Sequence, residues 1–110
     1  MINISKRVIY NKKLKRGKFY IVEGHPGMIF KEDDRKNDYY AIVTGTSQAR
    51  HMTKLNHPTE NGIEASYVKN RPVKGRRKHF GSKELIGMRF HKDDKKLINT
   101  IKRRKPNILK

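Results

Sequence analysis

Two groups of residues in this chain carry recognisable chemistry. The first is the run Lys69-Asn70-Arg71-Pro72-Val73-Lys74-Gly75-Arg76-Arg77-Lys78-His79-Phe80, with six lysines and arginines between positions 69 and 79 and the rings of Tyr67 and Phe80 at its ends. Cations along a track neutralise successive phosphates, and flat rings offer faces on which unpaired bases stack. Lys69, Arg71, Lys74, Arg76, Arg77 and Lys78, bracketed by Tyr67 and Phe80, therefore suit single-stranded nucleic acid. The second group is His25-Pro26 with Thr44-Gly45-Thr46-Ser47. An imidazole can serve as general acid or base, and a hydroxyl can donate to a phosphate oxygen. His25, Thr46 and Ser47 are the candidate catalytic residues if adjacent strands bring them together. The plain alternatives are a solvated loop for the basic run, a simple turn at His-Pro, and strand-closing hydrogen bonds from the hydroxyls.

Other chemistries find less support. None of the five histidines (25, 51, 57, 79 and 91) pairs with another at the i, i+4 spacing of a helical zinc site, and there is no cysteine. No metal site and no cofactor are expected. Glu32, Asp33 and Asp34 read as a hairpin tip, and Gly24 and Gly27 precede a strand where a phosphate loop would open a helix.

The elements that must position these residues are mostly strands. Lys18–Val22 and Met28–Phe30 are short aromatic and β-branched runs separated by the loop Glu23–Gly27, and Lys31–Asp38 is a polar turn. Tyr39–Thr44 reads as a buried strand stopping at Gly45. A polar connection leads to Ser66-Tyr67-Val68 and the basic stretch, and Lys83–Phe90 is expected as the last strand. Then the period changes: Leu97, Ile98 and Ile101 share one helical face, Asp93 or its neighbour is expected to cap the helix, and Pro106 ends it. The expected fold is mainly β with a C-terminal helix, a small partly open β-barrel sealed at one end by that helix. Residues 1–16 are read as a basic N-terminal arm, 17–105 as the domain and 106–110 as a tail.

Charge sets the partner class. The 110 residues carry 28 lysines and arginines against 10 acids, a formal net charge of +18. Residues 1–22 and 65–83 each hold seven cations and no acid, whereas seven of the acids fall at Glu23, Glu32, Asp33, Asp34, Asp38, Asp93 and Asp94. Segregated charge favours an oriented binding face, and the natural ligand is a polyanion that relieves self-repulsion. No apolar run approaches the length of a membrane span, and Met1–Arg7 lacks an apolar signal core, so the expectation is a cytoplasmic protein with no membrane partner.

The order of these segments resembles the PemK/MazF-like toxins of toxin–antitoxin pairs. Gly17–Val22 matches the family's opening strand, His25-Pro26-Gly27-Met28-Ile29-Phe30 its Arg-Pro strand, and Ala41-Ile42-Val43-Thr44-Gly45-Thr46-Ser47 the strand ending in hydroxyls, with Thr46 at a separation of 21 positions from His25. Lys54-Leu55-Asn56-His57-Pro58 and the terminal helix follow in the family's order, so the likeness spans most of residues 17–104. It implies an SH3-like barrel that cuts single-stranded RNA without metal, using the ribose 2′-hydroxyl as nucleophile. His25 stands where the family usually has arginine. A histidine lacks the permanent bidentate charge of arginine, which leaves Arg71 or Arg50 to supply it. The expected function is thus a basic, metal-independent endoribonuclease toxin. The alternative is a non-catalytic nucleic-acid-binding or inhibitory module that occludes RNA or DNA in a larger machine, and a ribosome-associated protein is a third reading. Expected partners are single-stranded RNA, an acidic antitoxin or a nucleic-acid-bearing complex, with a homodimer as one assembly.

Overall fold

The aromatic and β-branched run Phe19–Val22 forms strand β1 in the computed structural model, which describes residues 13–33 and 35–110. Most of the basic arm expected over residues 1–16, and Asp34 of the expected acidic turn, lie outside the described residues. β1 folds back into β2 (His25–Asp33) through Glu23 and Gly24, whose φ angles are 51° and 82°. Two left-handed residues make a type I′ turn, which follows the natural twist of paired strands, and glycine takes the second position without a Cβ clash. The loop expected over Glu23–Gly27 is therefore only two residues long. His25, Pro26 and Gly27 already lie in β2, opposite Val22, Ile21 and Tyr20.

β3 (Asp38–Gly45) is the central strand. One edge pairs with β2. Its other edge is shared between β6 (Val73–Arg76), which takes the first half, and β5 (Tyr67–Lys69), which takes the second. β4 (Met52–Lys54) pairs with β5, and β7 (Asn107–Ile108) lies parallel to β6, the other pairings being antiparallel. The sheet path runs β1-β2-β3-β5-β4 and is not closed: among the described residues its two end strands do not pair with each other.

Side-chain alternation along β3 divides the core. Tyr39, Ala41 and Val43 pack with Leu14, Tyr20, Val22, Ile29, Val73 and Phe80 on one face, while Ile42 packs with Leu55, Val68, Ile98 and Ile101 on the other. Both faces are covered, which is why Ala41–Gly45 is buried throughout and reads as a continuous apolar run. Ile98 and Ile101 come from helix α1 (Lys95–Lys102), which thus covers one sheet face through the side chains its periodicity marks, with Leu97 half-buried beside them.

Four expectations about elements need correction. Lys83–Phe90 is not a strand. Gly87 has φ 81°, Ile86 is solvent-exposed, and only Arg89 pairs, in a single bridge to Glu60. The apolar pattern there reflects anchoring of an irregular segment: Leu85 N–H donates to the Phe19 carbonyl, Met88 is buried, and Phe90 packs on Phe19 at 5.1 Å between centroids. The polar turn begins later than Lys31, because β2 continues to Asp33. The basic stretch contains a strand, β6, followed by a 3₁₀ turn at Arg77–His79. Asp94, the neighbour of Asp93, does stand at the N-cap position of the helix, but its side chain makes no capping hydrogen bond there. The 3₁₀ turn Lys92–Asp94 leads into α1, and the His91 imidazole caps it, Nδ1 accepting the Asp93 N–H at 3.1 Å. Asp94 is fully buried and accepts instead from the N–H groups of Asn56 at 2.8 Å and His57 at 3.1 Å, tying the loop after β4 to the helix start.

Candidate nucleic-acid interface

Where α1 ends, the sheet face it covers continues into a basic surface. The local cause is a β-bulge in β2: Ile29 stands opposite Ala41 and Lys31 opposite Tyr40, so Phe30 is an extra residue. An inserted residue re-aims the side chains that follow it. Ile29 goes to the first core cluster with Ala41, Phe30 packs with the helix, and Lys31 reaches Tyr40. On the other edge of β3, Lys74 of β6 is the register partner of the same tyrosine.

The outcome is a cross-strand row of Lys31, Tyr40 and Lys74. The two ammonium groups lie 5.0 and 5.5 Å from the Tyr40 ring centroid. Phe30 is tilted against Tyr40 at 6.2 Å, and the Lys102 ammonium, from the last turn of α1, lies 5.8 Å from the Phe30 ring. Asp38 is within 3.8 Å of Lys74, and Arg76 sits opposite Asp38 in the register with its side chain exposed. Half-buried rings with lysines on both sides can stack a base while the ammonium groups hold its phosphates.

The residues expected to contact nucleic acid do not form one continuous set. Lys74 belongs to this row, and Arg76 lies two residues further along the same strand. Lys78 is exposed beside Arg76 and Asn37 around a shallow hollow. Arg50, Lys69 and Arg71 gather in a second basic patch, around a hollow completed by His51, Met52 and Asn107. Arg104 Nη1 donates to the Asn70 carbonyl at 2.9 Å and adds a cation near that patch. Tyr67, on β5, is half-buried opposite Gly45 and Lys54. Two expected contacts point inward instead. Arg77 is 5% exposed, and its guanidinium donates to the Phe80 carbonyl at 3.0 Å, fixing the turn after β6. Phe80 is also 5% exposed and packs edge-on against Tyr39 at 5.8 Å, so its ring serves the core and not a base.

The expected catalytic residues sit at one end of the same sheet. His25 is exposed at the hairpin end of β2, and Thr46 and Ser47 are exposed in the bend after β3. A hydrogen bond joins the two segments. Buried Thr44 donates its hydroxyl to the Pro26 carbonyl at 2.8 Å, one residue past the last β2–β3 register pair, Gly27↔Val43. Among the described residues, no hydrogen bond links the His25 imidazole to either exposed hydroxyl.

Sequence reasoning missed Lys31, Phe30, Tyr40 and Lys102, because the bulge that gathers them has no signature in residue order. It also missed a cluster at the helix start, where His57, His91 and Asp93 converge from opposite ends of a loop exchange. No helix among the described residues is long and apolar enough to cross a membrane. No protein-family model, curated protein or solved structure matches the chain.

Proposed function

We propose that the chain binds single-stranded RNA across the face formed by Lys31, Tyr40, Lys74, Phe30 and Lys102. The observation that carries this reading is the cross-strand row, two lysines flanking one tyrosine on adjacent strands, continued by a second ring and a third lysine. Rigid strands hold the rings at fixed spacing, which suits bases already unstacked from a partner strand. The net charge of +18 supplies a long-range attraction for the backbone. The test is fluorescence anisotropy with labelled single-stranded RNA at low salt. Tyr40→Ala should weaken binding by about 1–3 kcal/mol, the value of one base–aromatic stack. Wild-type protein with no affinity for RNA at low salt would remove the reading.

A second reading makes the same barrel-like sheet a PemK/MazF-like endoribonuclease. A mainly antiparallel, unclosed sheet with a helix over one face is compatible with an SH3-like barrel. The Thr44–Pro26 hydrogen bond favours the catalytic version, since it draws His25 and the Thr46-Ser47 hydroxyls toward one end of the sheet. In that scheme His25 transfers one proton, Thr46, with Ser47 as the alternate, donates to a non-bridging phosphate oxygen, and Arg50 or Arg71 supplies the charge of the missing arginine. Products would carry 2′,3′-cyclic phosphate and 5′-hydroxyl ends, and cleavage would persist in EDTA. His25→Ala would lower the rate about 10²-fold or more, the usual worth of a general acid or base. Tight RNA binding without cleavage leaves the non-catalytic module, with an acidic antitoxin or a nucleic-acid-bearing complex as the further partner that this charge fits.

A further inference from the structure

The fold brings together three side chains that are far apart in sequence, His57 of the loop after β4, and His91 and Asp93 at the entry to α1. One nitrogen from each imidazole and one carboxylate oxygen all lie within 4.8 Å of one another. The His57 Nε2 is 3.0 Å from Asp93 Oδ2, and the His91 Nδ1 is 3.6 Å from the same oxygen. We propose that these three residues bind a divalent transition metal ion of the zinc class.

The distances suit such an ion. Bonds of about 2.0–2.1 Å to nitrogen and about 2.0–2.2 Å to oxygen, opened to the tetrahedral angle, separate nitrogen and oxygen by about 3.3 Å. The two separations of 3.0 and 3.6 Å from the imidazole nitrogens to the carboxylate oxygen bracket that value, and rotation about the histidine side-chain bonds brings the two nitrogens onto the same ion. Two imidazoles and one carboxylate select zinc, cobalt or nickel over magnesium, which prefers all-oxygen shells and keeps its waters. The carboxylate neutralises half the ion's charge.

The support around the cluster is more specific than an exposed ion pair requires. Fully buried Asp94, next in sequence to a ligand, grips the backbone N–H of His57 itself and of Asn56, which fixes the height of His57 against the helix entry. Pro58 restricts the His57 backbone from the other side. The two rings are stacked with centroids 3.9 Å apart and 22° between planes, so an ion lying in the plane of both requires one imidazole to turn out of the stack. The ion takes over the Nδ1 lone pair that caps the Asp93 N–H in the free protein. The side chains of His57 and Asp93 are 45% and 55% exposed, so the ion keeps open positions toward solvent, where water or a phosphate oxygen completes the shell. The site makes no use of the RNA-binding face, and it stands or falls independently of that proposal.

The test uses Co²⁺ and Zn²⁺ with the full chain. Titration with CoCl₂, in buffer free of chelator, should give saturable binding of one ion per chain with the visible absorption of a four- or five-coordinate cobalt site, and ZnCl₂ should displace it. Asp93→Asn and His57→Gln, both at partly exposed positions and checked for folding by circular dichroism, should each weaken binding about tenfold or more, as loss of a ligand does. Binding that is absent in the wild type overturns the proposal. So does binding that both variants retain within about threefold, because the other histidines would then hold the ion.

Discussion

Replacing Asp94 by asparagine isolates what the buried carboxylate contributes, because the side chain keeps its size and loses one acceptor. In the native protein each carboxylate oxygen has its own donor, Oδ1 the Asn56 N–H at 2.8 Å and Oδ2 the His57 N–H at 3.1 Å. Asparagine offers one oxygen and one amide group, so one backbone N–H would face another donor. The change removes a hydrogen bond to a charged acceptor, worth about 1.5–3 kcal/mol, and leaves a buried donor unpaired at a similar cost; partial relaxation of the loop brings the total to about 2–4 kcal/mol. Unfolding entropy of about 2.1 cal/mol/K per residue converts 1 kcal/mol to about 4 °C for a chain of this length. Asp94→Asn should therefore lower the midpoint by about 8–16 °C in thermal melts followed by circular dichroism, recorded in EDTA so that no bound metal contributes. Asp94→Leu, which leaves both donors unpaired, should lower it further. A loss under about 3 °C for asparagine would show that solvent reaches the loop and that the carboxylate does not anchor it.

Lys31→Ala, Lys74→Ala and Arg76→Ala combined should make the log–log salt dependence of RNA binding shallower by about 2, since each contacted phosphate contributes about 0.7 on single strands. An unchanged slope would place the RNA on another face. Ile98→Ala, which removes atoms from a side chain 4% exposed beneath the sheet, should cost about 2–4 kcal/mol in urea unfolding, and a loss under about 1 kcal/mol would make α1 an appendage.

What the sequence disclosed tracks the range of the forces involved. β1, β3 and α1 were legible because their signals are local: Phe19–Val22 and Tyr39–Val43 are β-branched and aromatic runs, and Leu97, Ile98 and Ile101 share a helical face. Lys83–Phe90 misled because Met88 and Phe90 are apolar for burial against other parts of the chain, not for pairing in a ladder. β4 and β7 are three and two residues long, and their partners are supplied by strands elsewhere in the chain. The same distinction separates the site residues. Charge made Lys74 and Arg76 visible, but charge alone did not reveal that Arg77 is drawn inward to the Phe80 carbonyl. Tyr40 and Lys31 become neighbours through a one-residue bulge, and His57 meets His91 through a buried aspartate, so neither juxtaposition exists in the linear order.

The acids explain why so basic a chain folds with its cations still available. Asp94 holds two backbone N–H groups, Asp33 accepts the Arg35 N–H in the turn, and Glu60 joins Arg89 by both a backbone bridge and a 2.9 Å ion pair. These carboxylates close loops and fix register, and little of their charge is directed at the lysines of the sheet face. Among the described residues the carboxylate that does face them is Asp38, 3.8 Å from Lys74 in a partly buried pair, both side chains less than a quarter exposed. Lys31, Lys74, Arg76 and Lys102 thus repel one another in the free protein and are relieved together by a polyanion. Salt acts on these two situations with opposite sign. Screening over a Debye length of about 8 Å at physiological ionic strength eases repulsion in the free fold, while the same ions compete with the RNA backbone for the cations. Stability that rises with salt, beside affinity that falls with it, is the combination that a surface kept basic for binding must show.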